Sequence, residues 1–227
     1  MPGSVSSTPA CRILRMCPVY FFPLVALSCT RDVQDSIMAD PRLAKVVDII
    51  DIRYWHYNTN GLWAPQGGRN MAPRQWMRKM PAGKTGFEEV YRAVSECRRL
   101  YPDKAVTYYS QQYPENGWAV LFAGGSLPNI PIRITEATPL QQTLLADLCH
   151  MNAMTGQGCL LLGNPALGYL IHTQEGKVET SVEPGQYDMY AINARTGAIT
   201  SMVSKTTLGG TYTTETDKGQ ILWLRRR

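Results

Sequence analysis

The sequence predicts a mixed α/β protein in two parts, a parallel α/β segment over residues 24–156 and an antiparallel β segment over residues 157–227. Three observations carry this reading. Val46 to Ile52 is a nearly unbroken β-branched run ending in Arg53-Tyr54-Trp55-His56-Tyr57. A strand buried on both faces has that character, and its polar C-terminal end is where parallel α/β folds present ligand-binding groups. Strand-like and amphipathic helical stretches then alternate as far as about residue 155, as parallel sheets require. Beyond Gln157 the texture becomes short β-branched and aromatic runs between turn signals.

Composition excludes several classes. A hydrophobic content of 44% with 18% charged residues is that of a folded globular chain. The formal charge of +5 is spread thinly, and the only basic run is Arg225-Arg226-Arg227. A nucleic-acid binder concentrates its charge in a stripe, so no nucleic-acid partner is expected. The six cysteines form no C-x-x-C pair, and His56, His150 and His172 are widely scattered. The expectation is therefore no metal site and no cofactor.

Met1 to Ala10 is rich in Ser, Pro and Gly, and residues 1–23 are expected to be an unstructured or non-native leader. Arg12 and Arg15 precede the apolar stretch Cys17 to Leu27, which has the look of a secretory signal but is too short to span a bilayer. The same residues admit a second reading, a buried strand from Leu24 to Cys29. Val33 and Ile37 predict a helix over 31–39, and Asp40-Pro41 supplies the N-cap and first position of another turn. The strand Val46 to Tyr54 follows. A long loop, Asn58 to Arg74, then carries Trp63 and Gln66, and loops of that length are usually functional or disordered.

Thr85-Gly86-Phe87-Glu88 predicts a capped helix with Phe87, Val90, Tyr91, Val94 and Cys97 on one face, ending before Pro102. Gly83-Lys84-Thr85 matches the tail of a phosphate-binding loop, but Arg78 stands where its first glycine belongs. Ala105 to Ser110 predicts a second strand, Glu115 to Ala123 a short helix stopped by Gly124-Gly125, and Thr138-Pro139-Leu140-Gln141 the start of a helix closing at Gly156. In the remainder, turn signals at Asn164-Pro165, Glu175-Gly176, Pro184-Gly185, Arg195-Thr196-Gly197, Gly209-Gly210 and Lys218-Gly219 divide the chain into short strands of a small antiparallel β-sandwich.

Several stretches together carry a resemblance: Asp48 to Trp55, Leu62-Trp63-Ala64-Pro65-Gln66-Gly67-Gly68, Gly117-Trp118-Ala119-Val120 and Ala123-Gly124-Gly125-Ser126. They resemble the C-terminal part of secreted bacterial proteins related to glycoside hydrolases, in which a TIM-type barrel precedes a small β-sandwich. Tyr187-Asp188, Asn193-Ala194-Arg195-Thr196-Gly197 and Ile221-Leu222-Trp223-Leu224 resemble the family described as the collagen-binding domain of a collagenase. The resemblance implies an incomplete (β/α)8 barrel, its C-terminal half, over residues 24–156, followed by the β-sandwich. It favours the strand reading of Leu24 to Cys29 and implies an extracellular or periplasmic protein. A half-barrel would also leave strand edges open to self-association.

Barrel glycosidases flank the scissile bond with two carboxyl groups. The resemblance puts one near the end of the Ala105 strand, where Gln111 and Gln112 stand, and an amide serves as neither nucleophile nor acid. Glu115 is the remaining catalytic candidate, with an exposed helix-start glutamate as the plain alternative. Sugar binding needs only aromatic faces and hydrogen-bonding groups. Arg53, Trp55, His56, Tyr57, Gln111, Gln112, Tyr113 and Trp118 lie at or after predicted strand ends, although Trp55 and Trp118 could instead pack beneath loops. The expected function is that of a glycoside-hydrolase-like fragment that contacts a polysaccharide or glycan without a complete catalytic pair. The alternative is a non-catalytic extracellular carbohydrate- or matrix-binding module.

Overall fold

The computed structural model describes residues 25–27, 31–52, 56–57, 63–64, 86–108, 116–154, 156, 158–173, 177–215 and 220–227. The chain divides into two compact units, at Asn129 and Ile130. The first contains β1 (Val25–Leu27), α1 (Arg31–Ala39), α2 (Pro41–Val46), β2 (Ile49–Ile52), β3 (His56–Tyr57), β4 (Trp63–Ala64), α3 (Phe87–Leu100), β5 (Ala105–Tyr108) and α4 (Asn116–Phe122). β1, β2 and β5 form a three-stranded sheet in that order, parallel throughout. The residues Val25 to Leu27 thus take the strand alternative.

One face of this sheet makes the core. Ile50, Ile52 and Val106 are wholly buried against Val90, Ala93 and Val94 of α3, with Met38 of α1 and Ala119 and Val120 of α4 in the same cluster. Burying such side chains stabilises by roughly 1.5–3 kcal/mol each. The β-branched run begins later as a strand than its composition suggests. Asp40 accepts from Arg42 N at 2.9 Å and Pro41 opens α2, so Val46 is still helical and Val47 is its cap. The N-cap of α3 is likewise Gly86 instead of Thr85. Glu89, not Glu88, returns its carboxylate to the Gly86 N–H at 2.9 Å. Gly125 explains the turn after α4: a Cβ there would lie 2.6 Å from Val120 Cγ1 and 2.9 Å from Val120 O. Only glycine lets the chain tuck under the helix, where Ser126 N donates to Val106 O at 2.6 Å.

The second unit opens with a 3-10 turn, Ile134–Glu136, and α5 (Pro139–Leu148). The predicted capping box is present: Thr138 Oγ1 accepts from Gln141 N at 3.3 Å, and Gln141 Oε1 accepts from Thr138 N at 2.9 Å. The helix stops at Leu148, short of Gly156, because the sheet already begins with β6 (Asn152–Met154). β7 (Leu160–Asn164), β8 (Gly168–His172), β9 (Lys177–Asn193), β10 (Ile199–Glu215) and β11 (Gln220–Arg226) follow.

These strands form one hydrogen-bonded, six-stranded antiparallel sheet, ordered β10-β9-β11-β8-β7-β6. Pro184-Gly185 and Gly209-Gly210 are not turns between strands. They face each other inside a hairpin of two 17-residue strands, with a register shift between Leu208 and Gly210. Glycine and proline here bend the hairpin without ending it. Val182, Leu208 and Tyr212 of its distal half consequently pack with Leu161, Tyr169, Ile171, Leu222 and Leu224 of the central strands. Tyr169 Oη accepts from Glu183 N at 3.0 Å and Tyr187 Oη donates to Glu183 O at 2.7 Å, fixing the bend. The true turn is Asn193 to Ala198, where Asn193 Oδ1 accepts from both Arg195 N and Thr196 N at 3.0 Å.

Candidate functional site

Parallel pairing decides which chain segments leave the first sheet together. β2 and β5 are in register from Ile49 opposite Ala105 to Ile52 opposite Tyr108. Both strands thus end at one level, and the chain continues into Arg53 on one side and Tyr109 on the other. In parallel α/β folds that edge is where ligands meet the sheet.

Below this edge Asp51 and Thr107, paired residues on adjacent strands, are in polar contact. Thr107 Oγ1 donates to Asp51 Oδ1 at 2.8 Å, and Asp51 is buried at 5% exposure. Strand alternation sets both on the face opposite Ile50, Ile52 and Val106. A buried carboxylate there is held in place by its neighbour, in keeping with a structural role for Asp51. The sequence offered no signal for Thr107, because its partner is 56 residues away. Asn116, buried at 2% at the start of α4, also went unnoticed; its Nδ2 finds no acceptor among the described residues.

His56 and Tyr57 form β3, which lies beside α3 and pairs antiparallel with β4, His56 opposite Ala64 and Tyr57 opposite Trp63. The loop residue Trp63 is thereby brought back to the strand-end segment. Trp118 lies in α4 at 0% exposure. Arg53, Trp55, Gln111, Gln112, Tyr113 and Glu115 lie outside the described residues.

The first turn of α3 adds Glu88, whose carboxyl is pushed up from the usual range by burial and then by Glu89. Cys97 is an unreactive thiol: burial foremost, and the nearby Glu96 carboxylate, push it up to about 12. Among the described residues no group of three His, Cys, Asp or Glu side chains could hold a metal ion, and no helix is long and apolar enough to cross a membrane.

The basic run near the end of the sequence is engaged in structure. Arg225 Nε lies 3.8 Å from Asp147 Oδ2 of α5. Arg226 donates to the carbonyls of Pro165 and Pro184 at 2.6 and 3.0 Å, and Arg227 Nε donates to Asp188 Oδ1 at 2.9 Å.

A family model described as a domain of unknown function, DUF6298, matches residues 22–146, more than half of the chain. The chain belongs to the DUF6298 family. The match takes in every described element of the parallel unit, from β1 to α4. Among curated proteins none is similar enough to match. Solved structures similar to this DUF6298 chain are glycoside hydrolases of low identity. A family 5 glycoside hydrolase from Bacteroides vulgatus is 11% identical with a TM-score of 0.45, over 84% of this chain and 52% of that one. A family 30 subfamily 8 xylanase from Clostridium acetobutylicum is 9% identical at 0.40, over 91% and 56%. A family 44 xyloglucanase from Paenibacillus polymyxa is 8% identical at 0.39, over 86% and 50%. The chain spans about half the length of the structures it matches.

Proposed function

We propose that this DUF6298 chain contacts carbohydrate through the segments leaving the C-terminal ends of β2 and β5, and that it lacks a complete hydrolytic pair. The observation that carries this reading is the shared level at which those parallel strands end. Arg53 to Tyr57 leaves from one, and Gln111 to Tyr113 follows the other. These residue types suit sugars: aromatic rings stack on the apolar faces of pyranoses, while Arg, His and Gln exchange hydrogen bonds with hydroxyls. Hydrolysis asks for two carboxyl groups flanking one bond. Here amides occupy Gln111 and Gln112, leaving Glu115 as the single acid of the segment. The reading of the chain as a fragment of a larger hydrolase-like protein, extracellular or periplasmic and able to associate through its sheet edges, rests on the sequence resemblance.

Binding to a panel of plant and matrix polysaccharides tests it. The expected result is measurable affinity for at least one glycan, weakened roughly tenfold by Trp55→Ala, equivalent to about 1.4 kcal/mol. Affinity unchanged by Trp55→Ala and by His56→Ala would move the site elsewhere. The bent sheet of the second unit would then be the place to look, as in a non-catalytic binding module.

A further inference from the structure

The long hairpin departs from regular pairing at three places, and two of them are gripped by Arg226 of β11 and by Arg227 just after it. At the bend, Arg226 donates through one guanidinium nitrogen to Pro184 O at 3.0 Å and through another to Pro165 O in the β7–β8 turn at 2.6 Å. Its guanidinium covers Gly185, where a Cβ would sit 3.1 Å from Arg226 Nε.

At the second place Tyr187 opposes Thr206 and Met189 opposes Val203, so Asp188 faces both Ser204 and Lys205. Lys205 occupies the left-handed region at φ 56°, which a side chain enters at a cost. Asp188 Oδ1 holds this bulge by accepting from Lys205 N at 3.1 Å, and the same oxygen accepts from Arg227 Nε at 2.9 Å. Arg227 N also donates to Gln186 O at 3.0 Å.

Both grips fall at or just before the bend, and beyond the bend lies the distal half of the hairpin. Its Val182, Leu208 and Tyr212 close one side of the apolar cluster around Leu161, Tyr169 and Leu222, with Tyr212 Oη 3.7 Å from Met189 Sδ.

We propose that Arg226 and Arg227 form a two-point clasp that keeps the distal half of the β9–β10 hairpin shut over this cluster as a flap, and that discharging Asp188 releases the flap. The charged side chains acting on Asp188 are Arg225 of β11 and Arg227 just after it, both cationic, and the Lys205 backbone N–H of β10 donates to it as well. The Arg227 hydrogen bond, ahead of other causes, holds the Asp188 carboxyl below its ordinary 3.8. A carboxyl lowered on folding contributes stability above its ordinary value and loses it as the pH falls through the lowered one. The clasp is therefore closed at neutral pH and opens in acid.

Hydrogen exchange resolved along the chain tests this. In Arg226→Gln/Arg227→Gln, and in Asp188→Asn, the amides of Thr180, Val182 and Thr211 are expected to exchange about tenfold faster or more, while those of Ile171 and Leu222 stay protected. Flap amides exchanging at the wild-type rate would overturn the proposal, as would all of these amides accelerating together. Should the double variant fail to fold, the unmodified chain decides. Corrected for intrinsic rates, flap exchange should rise below about pH 4 before the central strands open; simultaneous opening would sink the clasp.

Discussion

The parallel unit and the antiparallel sheet reach buried cores by opposite routes. In the parallel unit the strands are short and carry one apolar face, and helices supply the other half of the core: Ile50, Ile52 and Val106 meet Val90, Ala93 and Val94. The starts of α2 and α3 are written locally, in Asp40-Pro41 and in Gly86 with Glu89. In the sheet unit the strands cover themselves. Two 17-residue strands bend until Val182 and Tyr212 pack on Leu161 and Leu222, and Tyr and Arg side chains from other strands hold the bend. The first architecture rests on local signals. The second rests on contacts between residues far apart, and it should fail differently when disturbed.

The largest effect is expected from Gly168→Ala. Gly168 sits at φ 131°, and a Cβ would fall 1.9 Å from Leu224 O, so β8 and β11 could not keep their pairing. Loss of native exchange protection throughout β7, β8 and β11 is expected, with the Ile49–Ile52 amides retaining theirs. Equal loss in both units would erase the contrast between them. Trp223→Ala comes next. It empties a wholly buried site beside Tyr190, whose ring centroid lies 4.9 Å away, and should cost about 3–5 kcal/mol by denaturant titration. A loss below about 1 kcal/mol would show that the sheet repacks easily.

A smaller change, about 1 kcal/mol, is expected for Thr138→Ala, which removes the side-chain acceptor at the start of α5. Smallest is a pH effect. Burial holds the His172 imidazole below its ordinary 6.5, so the unfolded chain takes up a proton first as the pH falls. Stability should decline from about pH 6.5 downward, and His172→Gln should flatten that part of the profile. A profile steepened by the substitution would contradict the assignment.

What the sequence revealed follows the same division. The helices over 31–39 and 139–148 and the Ala105 strand were legible because caps, prolines and apolar spacing lie within a few residues of one another. Val46 was misread because β-branched residues suit a strand, yet the cap at Asp40 had already committed them to a helix. Pro184-Gly185 and Gly209-Gly210 were misread because the same residue types make turns and bends. Tyr187 close by, with Tyr169 and Arg226 from other strands, selects the bend. At the candidate site the strand β2 was legible in its β-branched run, whereas the Thr107–Asp51 contact and the burial of Trp118 depend on strand pairing and packing that no local pattern encodes.

The central functional claim, contact with carbohydrate without hydrolysis, is tested most directly by measuring retention and product release in one sample. The intact chain is incubated with each polysaccharide of the panel, the bound fraction is quantified, and the supernatant is assayed for new reducing ends. Retention on at least one glycan with no reducing ends above the protein-free control is the predicted result. Steady release of reducing ends, abolished by Glu115→Gln, would contradict it, as would the absence of retention on every glycan.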